Sequence, residues 1–282
     1  KTAEGKGSRG SEQYLLLSCI PLKRLGAEAR KRFQELKRRF GHWDTGFPKP
    51  VGMARLVGSP IAVGAQKHMT DKQWLSAMAK YNPEYDVGNR RLSGGSHQLS
   101  GDLRRHAMAD KARFAALILE MADDLECCYF SAILNGLTNQ NVSGDKLEPG
   151  EKTELAVDTL IPVIHRIHDL PGDPCGDAVC GAFQRSAALD WPPETLSILY
   201  HYATDYGEKV DDTVDDLYQR GINTVRGSAA LAIATILQEK GSLLPDMKAT
   251  ISSLSEDPSM AVRSCAIAPL LSLLSIAPDF AV

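Results

Sequence analysis

Four side chains in the middle of the chain are of the types that bind zinc. His165 and His168 lie one helical turn apart, and Cys175 and Cys180 follow them. Nitrogen and sulfur ligands of this kind hold Zn²⁺ in tetrahedral sites. The Cys-x4-Cys spacing is wider than in common zinc motifs, however, and Cys180 falls inside a predicted helix. The pattern therefore favours separate structural roles and no bound cofactor, with a cation site left as the alternative.

A run of acidic residues precedes the last quarter of the chain. Members of the run recur four residues apart, which is mildly unfavourable within a helix and would suit a cation or a basic partner. The run lacks the alternating oxygen ligands around a glycine that Ca²⁺ loops use. Because acidic side chains are common at helix starts, we expect them mainly to flank a helix beginning near residue 212, with cation binding as the alternative. The run comprises Asp205, Glu208, Asp211, Asp212, Asp215 and Asp216.

A helix predicted over residues 22–40 carries a concentration of basic residues. Its apolar residues recur at spacings of three and four, and the basic residues of 23–39 lie off that stripe. Such a surface could contact phosphates, with an indole beside it to stack on a base. Charge runs are more often solvated helix faces, and the net charge of −3 is unlike that of a general nucleic-acid binder. The candidate binding residues are Arg30, Lys31, Lys37, Arg38, Arg39 and Trp43.

No catalytic constellation accompanies these residues in the sequence. The chain has no GxSxG motif, no GxxxxGK[ST] motif and no cysteine with a local activating signature. Its six cysteines have no short repeating spacing, which is typical of reduced thiols in a cytosolic protein. No apolar run reaches the roughly 18 residues of a membrane helix. We expect a non-enzymatic, cytoplasmic chain with no membrane partner.

The elements that position these residues are predicted to be helices. An apolar content of 43 % with only 6 % aromatic residues suits helix-on-helix packing. We expect an all-α fold with a disordered leader over 1–12, an irregular helical and loop region over 13–92, and a helical repeat array over 93–282. The start at Lys1 and the apolar C-terminal residues indicate an excerpt of a larger protein.

The last quarter of the chain contains a sequence repeat. Val225-Arg226 returns thirty-seven residues later as Val262-Arg263, and each pair opens a helix with one apolar stripe. Self-similarity at such a period is typical of helical solenoids. Because neither helix can bury its stripe alone, stacked pairs are expected to share a core.

The segment Asp257-Pro258-x-x-x-Val262-Arg263 resembles HEAT repeats. In that family such aspartate and arginine side chains bridge neighbouring repeats, so the resemblance implies inter-repeat roles for Asp257, Arg263 and Arg226. The preceding copy departs from the pattern, because Arg220 stands where its aspartate would be. The resemblance implies a right-handed HEAT-like solenoid.

A second segment, Met69-Thr70-Asp71-x-x-Trp74-Leu75-x-Ala77-Met78-x-Lys80-Tyr81 followed by Gly94-Gly95, resembles the C-terminal helical region of large bacterial NTPases of the STAND/NACHT type. There a helical array senses a ligand. The resemblance implies a non-catalytic sensing or scaffold module that binds a protein partner or other domains of its own polypeptide. The alternative is a nucleic-acid-binding HEAT-like solenoid, such as a DNA glycosylase of that kind, using the basic helix over 23–39.

Overall fold

The computed structural model of the chain describes residues 10–40, 57–82, 94–139, 155–274 and 276–281. Over these residues every regular element is a helix and no strand occurs, which confirms the predicted all-α class. The chain divides into two compact units, Lys1–Leu56 and Val57–Val282. Residues 57–82, which precede the predicted repeat array, therefore belong to the same unit as the helices that follow them.

Within residues 10–40, the described part of the first unit, two helices, α1 (Ser11–Ser18) and α2 (Ala27–Phe40), are joined through a short 3-10 turn. The predicted helix over 22–40 is interrupted because Leu25 adopts an extended backbone conformation before Gly26. Tyr14 of α1 stacks on Phe33 of α2 with ring centroids 5.5 Å apart. The apolar stripe of α2 thus packs on α1, and one basic residue of α2 also reaches α1, because Arg32 Nε donates to Gln13 Oε1 at 3.2 Å.

The second unit is a succession of short helices with helical caps. Thr70 and Gln73 form a capping box, and the side chains of Asp110, Thr224 and Ser259 each accept a hydrogen bond from a first-turn N–H. The helices are α3 (Val63–Gln66), α4 (Asp71–Lys80), α5 (Ser96–Ala109), α6 (Lys111–Glu120), α7 (Cys127–Thr138), α8 (Val157–His168), α9 (Gly176–Arg185), α10 (Pro193–Thr204), α11 (Leu217–Gly221), α12 (Val225–Glu239), α13 (Leu244–Ser255), α14 (Met260–Leu273) and α15 (Pro278–Ala281).

From α5 to α14, and leaving aside the short helix α11, described helices that lie two places apart along the chain pack against each other. One series runs α5, α7, α9, α12 and α14, and the other runs α6, α8, α10 and α13. Helices of the two series also contact one another, as α10 does with α12. The short helix α11 packs against α14. The apolar stripes therefore meet in one continuous core.

Large buried side chains fill that core, and small residues let the helices approach closely. Trp74, Tyr129 and Phe183 belong to one cluster that extends as far as α14. A Cβ at Gly136 of α7 would lie 2.5 Å from the carbonyl oxygen of Arg104 in α5. Glycine at that position thus sets the spacing of α5 and α7.

Candidate inter-helix network and interaction surfaces

A buried ion pair joins α12 to the turn before α14. Arg226 Nε donates to Asp257 Oδ2 at 2.8 Å, and both side chains are about nine-tenths buried. Arg226 Nη1 also donates to the carbonyl oxygen of Tyr206 at 2.9 Å. Asp257 Oδ1 accepts a hydrogen bond from the Ser259 N–H at 2.8 Å. Both charges are therefore compensated, which a buried pair requires.

Arg263 occupies the matching position in the next copy but bonds differently. Its Nη1 donates to the carbonyl oxygen of Asp257 at 2.6 Å. The guanidinium of Arg263 thus donates to a main-chain oxygen of the turn just before its own helix. The carboxylate of Asp257 instead accepts from Arg226. The structure brings together all three residues that the HEAT resemblance singled out.

The acidic run lies in an extended segment, residues 205–216, here named the capping segment. Its first contact is with α12, where Glu208 Oε2 accepts from the Val225 N–H at 3.1 Å and Oε1 accepts from the Arg226 N–H at 3.0 Å. Thr224 Oγ1 accepts from the Gly227 N–H at 3.0 Å. The first amide groups of α12, which have no partner within the helix, are satisfied in this way.

The capping segment makes an equivalent contact with α14. Asp212 Oδ2 accepts from the Met260 N–H at 2.8 Å, and Oδ1 accepts from the Ala261 N–H at 3.0 Å and the Ser259 hydroxyl at 2.8 Å. These hydrogen bonds lower the pKa of Asp212, and the hydrogen bond from the Ala261 N–H makes the largest contribution to that shift. Asp216 accepts from the Gln219 N–H of α11 at 2.8 Å.

The expectation of a helix beginning near residue 212 was wrong, because helix α11 begins only at Leu217. Asp212 instead binds the N-terminus of α14. The helix dipole favours a carboxylate at that position. Three carboxylates of the capping segment thus serve the N-termini of three helices. The run crosses the helix ends rather than occupying one helix face.

The four candidate zinc ligands have separate partners. His165 Nε2 lies 3.2 Å from Thr195 Oγ1, and the thiol of Cys180 donates to the carbonyl oxygen of Val225 at 3.8 Å. Burial raises the pKa of the Cys175 thiol to about 12. Among the described residues, no group of three His, Cys, Asp or Glu side chains is placed to hold a metal ion.

His168 instead belongs to a hydrogen-bonded cluster around Asp173. Its Nδ1 lies 3.0 Å from Asp173 Oδ2, while the Tyr202 hydroxyl donates to Asp173 Oδ1 at 2.7 Å. The Tyr206 hydroxyl donates to the carbonyl oxygen of Asp173 at 3.0 Å. Asp173 has a φ of +45°, which aspartate tolerates better than most residues. The cluster fixes the turn between α8 and α9 onto α10.

The basic residues of α2 remain on the surface. Lys31, Lys37, Arg38 and Arg39 are all exposed. Arg30 is also exposed, although its Nε donates to the carbonyl oxygen of Leu25 at 2.8 Å. The remaining binding candidate, Trp43, lies outside the described residues. The five described candidates therefore form an exposed cationic surface on α2.

Comparison with known proteins gives no match. No family model, curated sequence or solved structure matches this chain. No helix within the described ranges is long and apolar enough to cross a membrane. The functional argument therefore depends on the geometry of the helices and their polar contacts.

One buried polar network was missed by the sequence reasoning. Gln66 Nε2 donates to Asp102 Oδ2 at 2.5 Å and to the carbonyl oxygen of Ile61 at 2.7 Å. Gln66 Oε1 lies 3.2 Å from His106 Nε2, and burial lowers the pKa of that imidazole. The network joins α3 to α5. No local sequence motif indicates this network, because Gln66 is 36 residues from Asp102 and 40 residues from His106.

Proposed function

We propose that the chain is a non-catalytic scaffold: a HEAT-like helical repeat array that binds a protein partner or other domains of its own polypeptide. Its place in the cell is then a reducing compartment, the cytoplasm, because all six cysteines are free thiols. An array of this kind functions through a stiff surface rather than a reactive pocket.

The observation that carries the proposal is the packing of the described helices into two interleaved series. Five polar contacts span 42 to 50 residues, whereas others span fewer, as Arg226 with Asp257 does at 31 and Gln66 with Asp102 at 36. The range of the five overlaps the roughly 40–47-residue period of HEAT and armadillo repeats. The pairs are Arg113 with Asp71, Arg166 with Asp123, Arg185 with Asn135, Asp212 with Ser259, and Lys240 with Asp190.

The pair of Arg226 and Asp257 adds a second line of support. It connects consecutive copies of the Val-Arg pattern through the residue types that bridge HEAT repeats. The capping segment contacts both copies at the same place, the N-terminus of the helix. Recurring contacts of this kind are consistent with a repeat array in which each unit is fixed against its neighbours.

The proposal is tested by quantitative partner capture with matched variants. The wild-type chain, the Asp257→Ala variant and the Glu35→Ala control are immobilised and exposed to extract from the source organism. We expect at least one protein captured in stoichiometric amount by the wild type and the control, and at least tenfold less by Asp257→Ala. A captured set that does not depend on Asp257, or turnover of a substrate by the purified chain alone, would contradict the scaffold.

The exposed cations of α2 favour a second candidate function, binding of a nucleic-acid backbone. Neutralised phosphates release counterions, so affinity should fall on the order of tenfold or more between 50 and 200 mM salt if about three contacts form. Fluorescence anisotropy with labelled single- and double-stranded DNA measures this directly. The triple variant Lys31→Glu/Lys37→Glu/Arg38→Glu should abolish binding, and Lys72→Glu should not. No binding of the wild type at low salt eliminates this function.

A further inference from the structure

Arg185, at the end of α9, is a half-buried cation whose side-chain hydrogen bonds both go to neutral acceptors. Its Nε donates to Thr138 Oγ1 at 3.0 Å, and its Nη2 donates to Asn135 Oδ1 at 2.5 Å. Both acceptors belong to α7, so the side chain bridges two helices of one series. No carboxylate in the described ranges forms an ion pair with Arg185. The contacts that hold this guanidinium therefore do not balance its charge.

Other arginines of the second unit show what such a bridge contains elsewhere. Within the described residues of this unit, three further arginine side chains bond to a side chain 31 to 43 residues away, and each meets an aspartate. Asn135 plays the same part towards Arg185 with a neutral amide. Because a charge removed from water is costly unless it is compensated, Arg185 favours an anion at this position. The three pairs are Arg113 with Asp71, Arg166 with Asp123, and Arg226 with Asp257.

Arg104 adds a second positive charge near the first. It lies on α5, which packs on α7, and its exposed side chain forms no ion pair with any residue that the structure describes. Burial lowers the pKa of Arg185, and the charge of Arg104 lowers it further. The two cations thus repel each other, and an anion close to both relieves that repulsion.

The donors that remain on Arg185 suit an anion with two oxygen atoms side by side. A guanidinium has five N–H groups in a fixed arrangement. The parallel N–H groups at its end, one on Nη1 and one on Nη2, have no acceptor among the described residues. Such a pair binds a carboxylate or phosphate through two hydrogen bonds. Gly181 leaves room beside this end, because a Cβ there would lie 2.9 Å from Nη1.

We propose that Arg185, Arg104 and Asn135 form a binding site for an oxyanion, a carboxylate or phosphate group. The end of the Arg185 guanidinium binds two oxygens of the ligand, and Arg104 supplies the second positive charge. Asn135 holds Arg185 through Oδ1 and can donate to the ligand through Nδ2. This site goes beyond the proposed scaffold function, because it depends on these three side chains and not on the repeat array.

The test is an NMR titration of the full chain labelled with ¹⁵N-arginine. Inorganic phosphate is added in one series and acetate in another, with sodium chloride keeping the ionic strength constant. We expect the Arg185 Nε–H resonance, assigned with Arg185→Lys, to shift and saturate. The Nε–H resonances of Arg113, Arg166 and Arg226 should not shift, because these guanidinium groups already have an aspartate. Saturation with phosphate alone identifies a phosphate site, and saturation with acetate identifies a carboxylate site; either supports the proposal.

Two variants keep the Arg185 resonance and change its surroundings. Asn135→Asp places a carboxylate where the other arginines have one, so the affinity for the added anion should fall by more than about tenfold. Arg104→Gln removes the second charge and should weaken binding by about threefold or more. The control is Arg220→Gln, which removes an exposed arginine on α11 and should leave the affinity within about twofold of the wild type.

Three results would overturn the oxyanion site. The first is the absence of a saturable shift at Arg185 in both titrations. The second is an equal shift of the arginines that are paired with aspartate, which would indicate a general salt effect. The third is an unchanged affinity in Asn135→Asp or in Arg104→Gln. None of these results bears on the contacts between α12 and α14, so the proposed array is judged separately.

Discussion

At the residue scale, the polar contacts that matter are those that compensate buried or helix-terminal groups. Arg226 and Asp257 are the main example, because removal of either leaves a charge buried without its partner. His106 is a different case, since burial disfavours its charged form. Both effects are measurable as changes in the free energy of unfolding.

We predict that Asp257→Ala lowers the free energy of unfolding by about 3 kcal/mol, because the guanidinium of Arg226 and the N–H of Ser259 lose their acceptor. Equilibrium denaturation in urea measures the change. The control is Glu35→Ala, which breaks the exposed pair with Arg32 and should cost less than about 1 kcal/mol. Equal losses in the two variants would show that the buried pair is not a principal joint.

The lowered pKa of His106 predicts a specific pH dependence of stability. The unfolded chain protonates this imidazole near its ordinary pKa of about 6.5, whereas the folded chain protonates it only at lower pH. The stability contributed by neutral His106 is thus present above about pH 6.5 and is lost as pH falls through the folded pKa. His106→Gln should therefore give a flatter stability profile between pH 7 and 5 than the wild type. His97→Gln, at an exposed histidine on the same helix, is the matched control.

At the element scale, the capping segment shows how an irregular stretch can organise regular ones. Glu208, Asp212 and Asp216 each accept hydrogen bonds from the first turn of a different helix. The segment therefore holds the starts of α11, α12 and α14 in one arrangement. This explains why the acidic residues recur at a spacing that would be unfavourable along one helix.

We predict that Asp212→Ala accelerates hydrogen exchange at the amides of Met260 and Ala261, which lose their acceptor. The amides of α12 that donate hydrogen bonds to Glu208 and Thr224 should keep their protection from exchange. Mass spectrometry with electron-transfer fragmentation resolves the two sets. Unchanged exchange at Met260 and Ala261 would mean that Ser259 alone caps α14. Asp215→Ala is the matched control within the same segment.

The helices were predictable from local pattern, and most of the network was not. The apolar periodicity predicted most of α2, and the two Val-Arg pairs marked the starts of α12 and α14. The HEAT resemblance implied inter-repeat roles for Arg226 and Asp257, and these two side chains form an ion pair. No local sequence signal could reveal the other contacts, because their partners are distant along the chain. These contacts are the hydrogen bonds from α14 to Asp212, the cluster around Asp173, and the hydrogen bonds of Gln66.

At the scale of the whole molecule, the main structural feature of the second unit is its two interleaved helix series. In a helical array each unit contacts only its neighbours, so the effect of a substitution should stay close to its site. In a single globular core, by contrast, a lost contact weakens all helices together. The second unit, Val57–Val282, contains enough helices on either side of α9 to tell these behaviours apart.

The most direct test of the array is hydrogen exchange along the second unit of Asp257→Ala, compared with the wild type under native conditions. We expect faster exchange in α12, α13 and α14, which adjoin the lost ion pair, and unchanged exchange in α5, α6 and α7. Equal acceleration in both groups of helices would contradict a repeat array and, with it, the scaffold function proposed for this chain.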